Sequence, residues 1–321
     1  MKESSVVKSL QIQGLVAAAF TPMVPGGEVE LSVVPAYVDH LIRMNIRGLY
    51  VLGSTGEGAS LSGVERKKVA EAYVSAARGR IPVIIQVGHN SLVEAAELSA
   101  HAQQIGADAI SAFAPSYFKC ETVDCLLECM GQIAAGAPDL PFYYYHAPGF
   151  TGVRPDLIEM LGKADRHIPN LVGIKFTDQR VFEFQSCIES FDGRYEVLWG
   201  CDEMLLSGLS VGARAAVGST YNVAAPIYHQ VIEAAGRGDL QAAREWQLKS
   251  VRLVEVLVKF PIFAAMKEIL GWHGLLLGPC RLPLDSLKDG QAKALREQLE
   301  QADLLKYVLE TEPKDVLVSK D

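Results

Sequence analysis

A chain of 321 residues has room for one large α/β domain, and its 49% apolar and 21% charged residues are ordinary for a globular protein. The formal net charge of −8 argues against general affinity for nucleic acid or an anionic membrane, so an anionic ligand needs a local site. The opening Met-Lys-Glu-Ser-Ser lacks the apolar core of a secretory signal, and no stretch approaches the roughly 18 apolar residues of a membrane span; a cytoplasmic protein without a membrane partner is the expectation.

Short apolar runs alternate with longer helical patterns, which predicts βαβ units and a parallel sheet. Strands are expected at 16–20, 48–52, 82–87, 109–114, 142–146, 172–176, 196–200 and 215–218. Eight strands suit a (β/α)8 TIM barrel, and most lack strict polar alternation, as expected with the barrel interior on one side and helices on the other. Between them, Ser62-Gly63-Val64-Glu65 is a capping-box pattern opening a helix through about Ala77, and the helical spacing of 92–105 ends at Gly106. Cys120, Cys125 and Cys129 lack C-x-x-C spacing; Cys125 and Cys129 share a helix face, and all three read as reduced thiols that behave as small apolar groups. Beyond the eighth strand, 227–274 and 290–308 read as further helices joined by the loop 278–284. The expected organisation is a barrel over 1–226 and a C-terminal helical extension over 227–321, packed on it within the same domain.

The chemistry concentrates where strands end, the carboxyl face on which barrels of this kind carry their sites. Lys175 interrupts the apolar run Leu171-Val172-Gly173-Ile174-Lys175-Phe176, and lysine is rarely buried without a reason. Burial disfavours the ammonium form and leaves an amine able to attack a carbonyl, a Schiff-base nucleophile. Tyr145, in Phe142-Tyr143-Tyr144-Tyr145-His146, offers a phenol as proton carrier. The turn Gly53-Ser54-Thr55-Gly56-Glu57-Gly58 suits a carboxylate, or uses its hydroxyls in local turn bonds. Other strands end at Thr177-Asp178, Gly200-Cys201-Asp202-Glu203 and Gly218-Ser219-Thr220, where Asp202, Ser219 and Thr220 read equally as helix amino caps. His146 reads as a structural histidine. No H-x-H or H-E-x-x-H spacing points to a metal. Lys267, the rival amine, lies in a helical pattern and reads as solvated or ion-paired.

Gly53-Ser54-Thr55-Gly56-Glu57, Tyr145, Gly173-Ile174-Lys175 and Gly218-Ser219-Thr220-Tyr221-Asn222 carry a resemblance covering nearly the whole chain. The sequence resembles the N-acetylneuraminate lyase branch of the lyase and dihydrodipicolinate synthase superfamily, and most of all its animal-type members. The resemblance implies a Schiff-base aldolase of sialic acid catabolism that reversibly cleaves N-acetylneuraminate to N-acetylmannosamine and pyruvate, with no cofactor beyond the imine on Lys175. It implies proton transfer by Tyr145, pyruvoyl carboxylate binding by Ser54 and Thr55, and polyhydroxyl contacts from Thr177, Gly200, Asp202, Glu203 and Ser219. It also implies a homotetramer in which Tyr117 reaches a neighbouring subunit's site. Phe150 stands five positions after Tyr145, where the synthases carry arginine, so an acidic aldehyde loses its partner. Asp202 and Glu203 suit a polyol better. Phe150 and Gly149 depart from the leucine and alanine usual in the lyases. The rival readings are another pyruvate-dependent aldolase or synthase using the same lysine, and a noncatalytic sialic-acid-binding barrel.

Overall fold

Each apolar run bounded by turn residues forms a strand: β1 (Gly14–Ala18), β2 (Gly48–Val51), β3 (Val83–Gln86), β4 (Ala109–Phe113), β5 (Phe142–His146), β6 (Leu171–Phe176), β7 (Glu196–Trp199) and β8 (Ala215–Gly218). Every strand pairs in parallel with the next, and β8 returns to β1, closing a barrel in sequence order. This computed structural model describes residues 7–310; residues 1–6 and 311–321, the ends of the expected barrel and extension, lie outside the described residues. All eight expected strands form; β5 and β8 keep their expected ends, and the other six have at least one end moved by one or two residues. β1 starts early because Gly14 N–H already bonds Arg214 O at 2.9 Å.

Strand alternation sorts the side chains. Tyr143 and Tyr145 of β5 face the barrel interior with Tyr50, Val16 and Val217, while Tyr144 packs outward under the helices. At the amino-terminal mouth, Tyr143 OH donates to Glu196 Oε2 at 2.6 Å, and Glu196 Oε1 accepts Ile12 N–H at 2.7 Å. The segment ahead of β1 therefore seals that end. Among the described residues no helix is long and apolar enough to cross a membrane.

The capping box forms as the sequence predicts. Glu65 N–H donates to Ser62 Oγ at 3.3 Å, Ser62 N–H donates to Glu65 Oε2 at 2.8 Å, and the helix runs Gly63–Ala77. Ser62→Ala is expected to cost about 1 kcal/mol of stability, read as a lower urea midpoint at unchanged slope. The helix Leu92–Gln104 ends as expected, with Gly106 at φ +76° just beyond it.

The extension departs most from expectation. The run 227–274 breaks into Tyr221–Gly236, Leu240–Leu257 and Ile262–Gly271, and 290–308 into Gln291–Gln301 and Leu305–Val308. Asp239 caps the second helix through Ala242 N–H at 3.0 Å, and Pro261 stands ahead of the third. The first begins before 227 and kinks at Ala224 ahead of Pro226, which has no N–H to continue the ladder. The boundary drawn at 226 thus falls inside a helix.

Candidate active site

Register builds the centre of the site. Tyr145 lies opposite Lys175 on β5 and β6, and both side chains enter the barrel interior. Lys175 is only 4% exposed, with Nζ 3.8 Å from the Tyr145 ring centroid and 4.1 Å from that of Tyr50. Two aromatic faces attract the ammonium and offset part of its lost hydration. The sequence reading missed Tyr50. Its ring meets Tyr145 edge-on at 5.7 Å between centroids, and its hydroxyl donates to Ser111 Oγ at 3.0 Å. A signal existed, since Tyr50 is the one aromatic residue of β2. Burial pushes the Tyr145 phenol up, but the Lys175 ammonium and the Ser54 hydroxyl outweigh it and hold the phenol below its ordinary range. A phenol so placed gives up and takes back a proton more readily.

Ser54 and Thr55 lie on the turn after β2. The turn coils back so closely that a Cβ on Gly58 would sit 1.9 Å from Leu52 O, which restricts this position to glycine. Behind it, Lys267 Nζ donates to Glu57 Oε1 at 2.7 Å, Pro279 O at 2.8 Å and Thr21 O at 3.0 Å. All three ammonium protons are engaged. Lys267 is therefore buried and ion-paired, not solvated, and has no free valence for nucleophilic attack. Glu57 Oε2 accepts Arg281 N–H at 2.7 Å, so the pair fastens the turn to the C-terminal extension. Thr55 Oγ1 lies 2.6 Å from Ser219 Oγ, which puts Ser219 beside the turn. Asn222 fixes Ser219 from below, its Nδ2 donating to Ser219 O at 2.7 Å and Ala18 O at 2.8 Å.

Asp202 begins a short 3-10 turn, Asp202–Met204, yet its side chain caps no local N–H. Instead Oδ2 accepts Thr220 N–H at 2.9 Å and Thr220 Oγ1–H at 2.7 Å, while Thr220 Oγ1 lies 2.5 Å from Tyr228 OH. The carboxylate bridges β7 to β8, which replaces the amino-cap reading of Asp202. Nor does Thr220 or Ser219 cap by its side chain, because those hydroxyls are engaged by Asp202 and Thr55. Burial pushes Asp202 up to about 6 from 3.8, against the Thr220 bonds. An acid raised by folding contributes stability that is present below pH 3.8 and lost as pH rises through about 6. Asp202→Asn keeps an acceptor for Thr220 and removes this penalty. It is expected to raise stability at pH 8 by on the order of 2 kcal/mol and to add nothing near pH 3, measured as urea midpoints at the two values.

Thr177 N–H donates to His146 O at 2.8 Å, and its hydroxyl is buried without a partner among the described residues. A Cβ on Gly200 would lie 2.2 Å from Thr177 Oγ1, so glycine there keeps that hydroxyl available. Glu203 follows Asp202 on the same turn, half-buried. His146 lies on the outer face of β5 against Phe176 and Tyr144, away from the side of the sheet that carries Tyr145, with burial pulling it down to about 4. Tyr117 is 80% exposed on the loop after β4, held by its N–H to Asn90 Oδ1 at 3.2 Å, and does not join the cluster of its own chain. Phe150 is exposed too.

The barrel thus gathers a buried amine, a polarised phenol, a hydroxyl-bearing turn and a bridging carboxylate at one mouth. Nothing in that set is local in sequence, so proteins sharing it should match along the whole barrel. N-acetylneuraminate lyase A of Xenopus laevis is 39% identical over 307 residues, covering 92% of this chain and 98% of that protein. Among solved structures, Proteus mirabilis N-acetylneuraminate lyase superposes with a TM-score of 0.88 at 39% identity, covering 92% of this chain and 99% of that one. The Aliivibrio salmonicida lyase (sialic acid aldolase) gives 0.90 at 39%, covering 94% and 100%. Because residues 11–302, from the segment sealing the barrel to the last long helix, match it continuously, the chain belongs to the dihydrodipicolinate synthetase family.

Proposed function

We propose that this chain is a carbon–carbon lyase that reversibly cleaves N-acetylneuraminate to N-acetylmannosamine and pyruvate through an imine on Lys175. The observation that carries the reading is Lys175 Nζ held 3.8 Å from the Tyr145 ring inside a barrel that matches N-acetylneuraminate lyases over nine-tenths of its length. Lys175, once it has given up its ammonium proton, attacks the C2 ketone of the open-chain substrate. Loss of water gives a protonated imine that draws electrons from the breaking C3–C4 bond. Tyr145, with Ser54 and the substrate carboxylate beside it, takes the proton of the C4 hydroxyl. The enamine is then protonated, and hydrolysis of its imine frees pyruvate and restores the amine.

Ser54 and Thr55 hold the carboxylate, fixing C2 beside Lys175 so that attack is effectively intramolecular. Thr177, Gly200, Asp202 and Glu203 receive the sugar hydroxyls, with Ser219 at the junction between the two regions. The reaction needs no external cofactor. Discrimination against an acidic aldehyde rests on Phe150 in place of a cation, each lost polar contact costing about 1 to 3 kcal/mol. We place the enzyme in the cytoplasm as a homotetramer, with the exposed Tyr117 reaching a neighbour's site.

Two measurements test this. Cleavage of N-acetylneuraminate is compared with that of other 2-keto-3-deoxy acids, and the former is expected to be preferred. Negligible cleavage of N-acetylneuraminate beside robust cleavage of another acid would sink the substrate assignment. Borohydride reduction with pyruvate should label Lys175; a label on Lys267 would refute the imine assignment.

A further inference from the structure

We infer that Cys120, Cys125 and Cys129 form a binding site for one thiophilic cation of the zinc type, outside the barrel and apart from the lyase chemistry. The three sulfur atoms lie within 4.8 Å of one another, and Cys120 Sγ is 3.8 Å from Cys129 Sγ. A tetrahedron with Zn–S bonds of about 2.3 Å has edges of about 3.8 Å, so Cys120 and Cys129 already stand at the separation of two thiolates on one ion, with Cys125 Sγ within 4.8 Å of both.

A loop–helix junction does here what a C-x-x-C knuckle does elsewhere. Cys120 belongs to the loop after β4, and Cys125 and Cys129 stand one turn apart on the helix Val123–Ala134. Thr122 Oγ1 accepts Cys125 N–H at 3.2 Å, which caps the helix and sets where its first turn points. Only Glu121 and Thr122 separate Cys120 from that helix, so the loop sulfur is returned to the helical pair. Sequence spacing alone hides this convergence.

The surroundings suit a cation. Cys125 is exposed while Cys120 and Cys129 are half-buried, giving an entry path and a water-accessible fourth position. Three thiol donors select a soft or borderline ion over magnesium or calcium. Each sulfur that binds as thiolate releases its proton to solvent, and no oxidant is involved.

The test uses the full-length reduced protein, loaded with excess zinc and desalted. One zinc per chain should be retained, and three fewer thiols should react with a thiol reagent than in the zinc-free protein. Cys120→Ser, Cys125→Ser and Cys129→Ser should each weaken zinc by more than the roughly 10-fold to 100-fold that loss of an outer-shell partner costs. Cys187→Ser and Cys280→Ser should leave it unchanged. Cadmium is a second probe that needs no variant, expected to give thiolate-to-metal charge-transfer absorbance in the wild-type chain. Reduced protein that retains no zinc, or variants at the three positions that hold it as tightly as wild type, overturns the site. None of these readouts depends on lyase activity.

Discussion

Lys175→Ala is expected to leave no measurable cleavage of N-acetylneuraminate and no borohydride-trapped adduct, while Tyr145→Phe keeps the adduct and loses about 10²- to 10⁴-fold in kcat. The contrast follows from geometry. In the proposed mechanism Lys175 forms the bond itself, and the rival amine Lys267 does not stand in for it, because its three protons go to Glu57, Thr21 and Pro279. Tyr145→Phe preserves the ring that packs on Lys175 and meets Tyr50 edge-on, so the amine stays in place and only the proton path is cut. Imine formation with pyruvate should survive, and C3–C4 cleavage should be slowed. Single-turnover cleavage alongside mass analysis of the trapped peptide separates the two. A Tyr145→Phe enzyme with wild-type kcat would remove the phenol from the mechanism.

Lys267→Met is expected to cost about 3 to 5 kcal/mol of stability, the largest loss for any single change outside the catalytic pair. The substitution leaves Glu57 buried and unpaired; the side chains of the native pair are 2% and 0% exposed. Glu57→Gln with Lys267→Met should cost less than the two single changes together, since neither charge is then stranded. Because Glu57 also accepts Arg281 N–H and sits in the Ser54–Thr55 turn, surviving Lys267→Met enzyme should show a raised KM with pyruvate at smaller cost in kcat. Urea unfolding of the four proteins, with steady-state kinetics on the soluble ones, measures both effects. Additive losses would mean that Glu57 and Lys267 are not energetically coupled.

How much of this was legible in the sequence follows from how local each signal is. β5 and β8 have the ends expected of them because their apolar runs stop at turn and polar residues. Lys175 stood out because a charge inside an apolar strand is anomalous within six residues of chain. Tyr50 did not, because its contact with Lys175 exists only once the barrel closes. The Glu57–Lys267 pair spans 210 positions, and no periodicity links the partners. Asp202 looked like a local helix cap because its own turn offers N–H groups, yet Thr220, 18 residues on, supplies better-placed donors across the strand ends. The run 227–274 looked continuous because its apolar spacing continues through breaks set by Gly238 and Pro261. The three thiols failed the spacing test because a loop, not a second helical turn, delivers Cys120.

Tyr143 and Tyr145 stand two residues apart on β5, about 7 Å along the strand. The upper ring serves the amine, while the lower one is bonded to Glu196 and closed over by Ile12. A barrel interior filled in this way is a cul-de-sac rather than a channel. Both fragments of a cleaved substrate must therefore leave by the door through which it entered. In the proposed mechanism the fragment released from C4 sits nearer that door, and pyruvate, still bonded to Lys175 below it, departs second. Product inhibition should carry that order: added pyruvate re-forms the imine on the free enzyme, and the amino sugar binds only to an enzyme already carrying pyruvate.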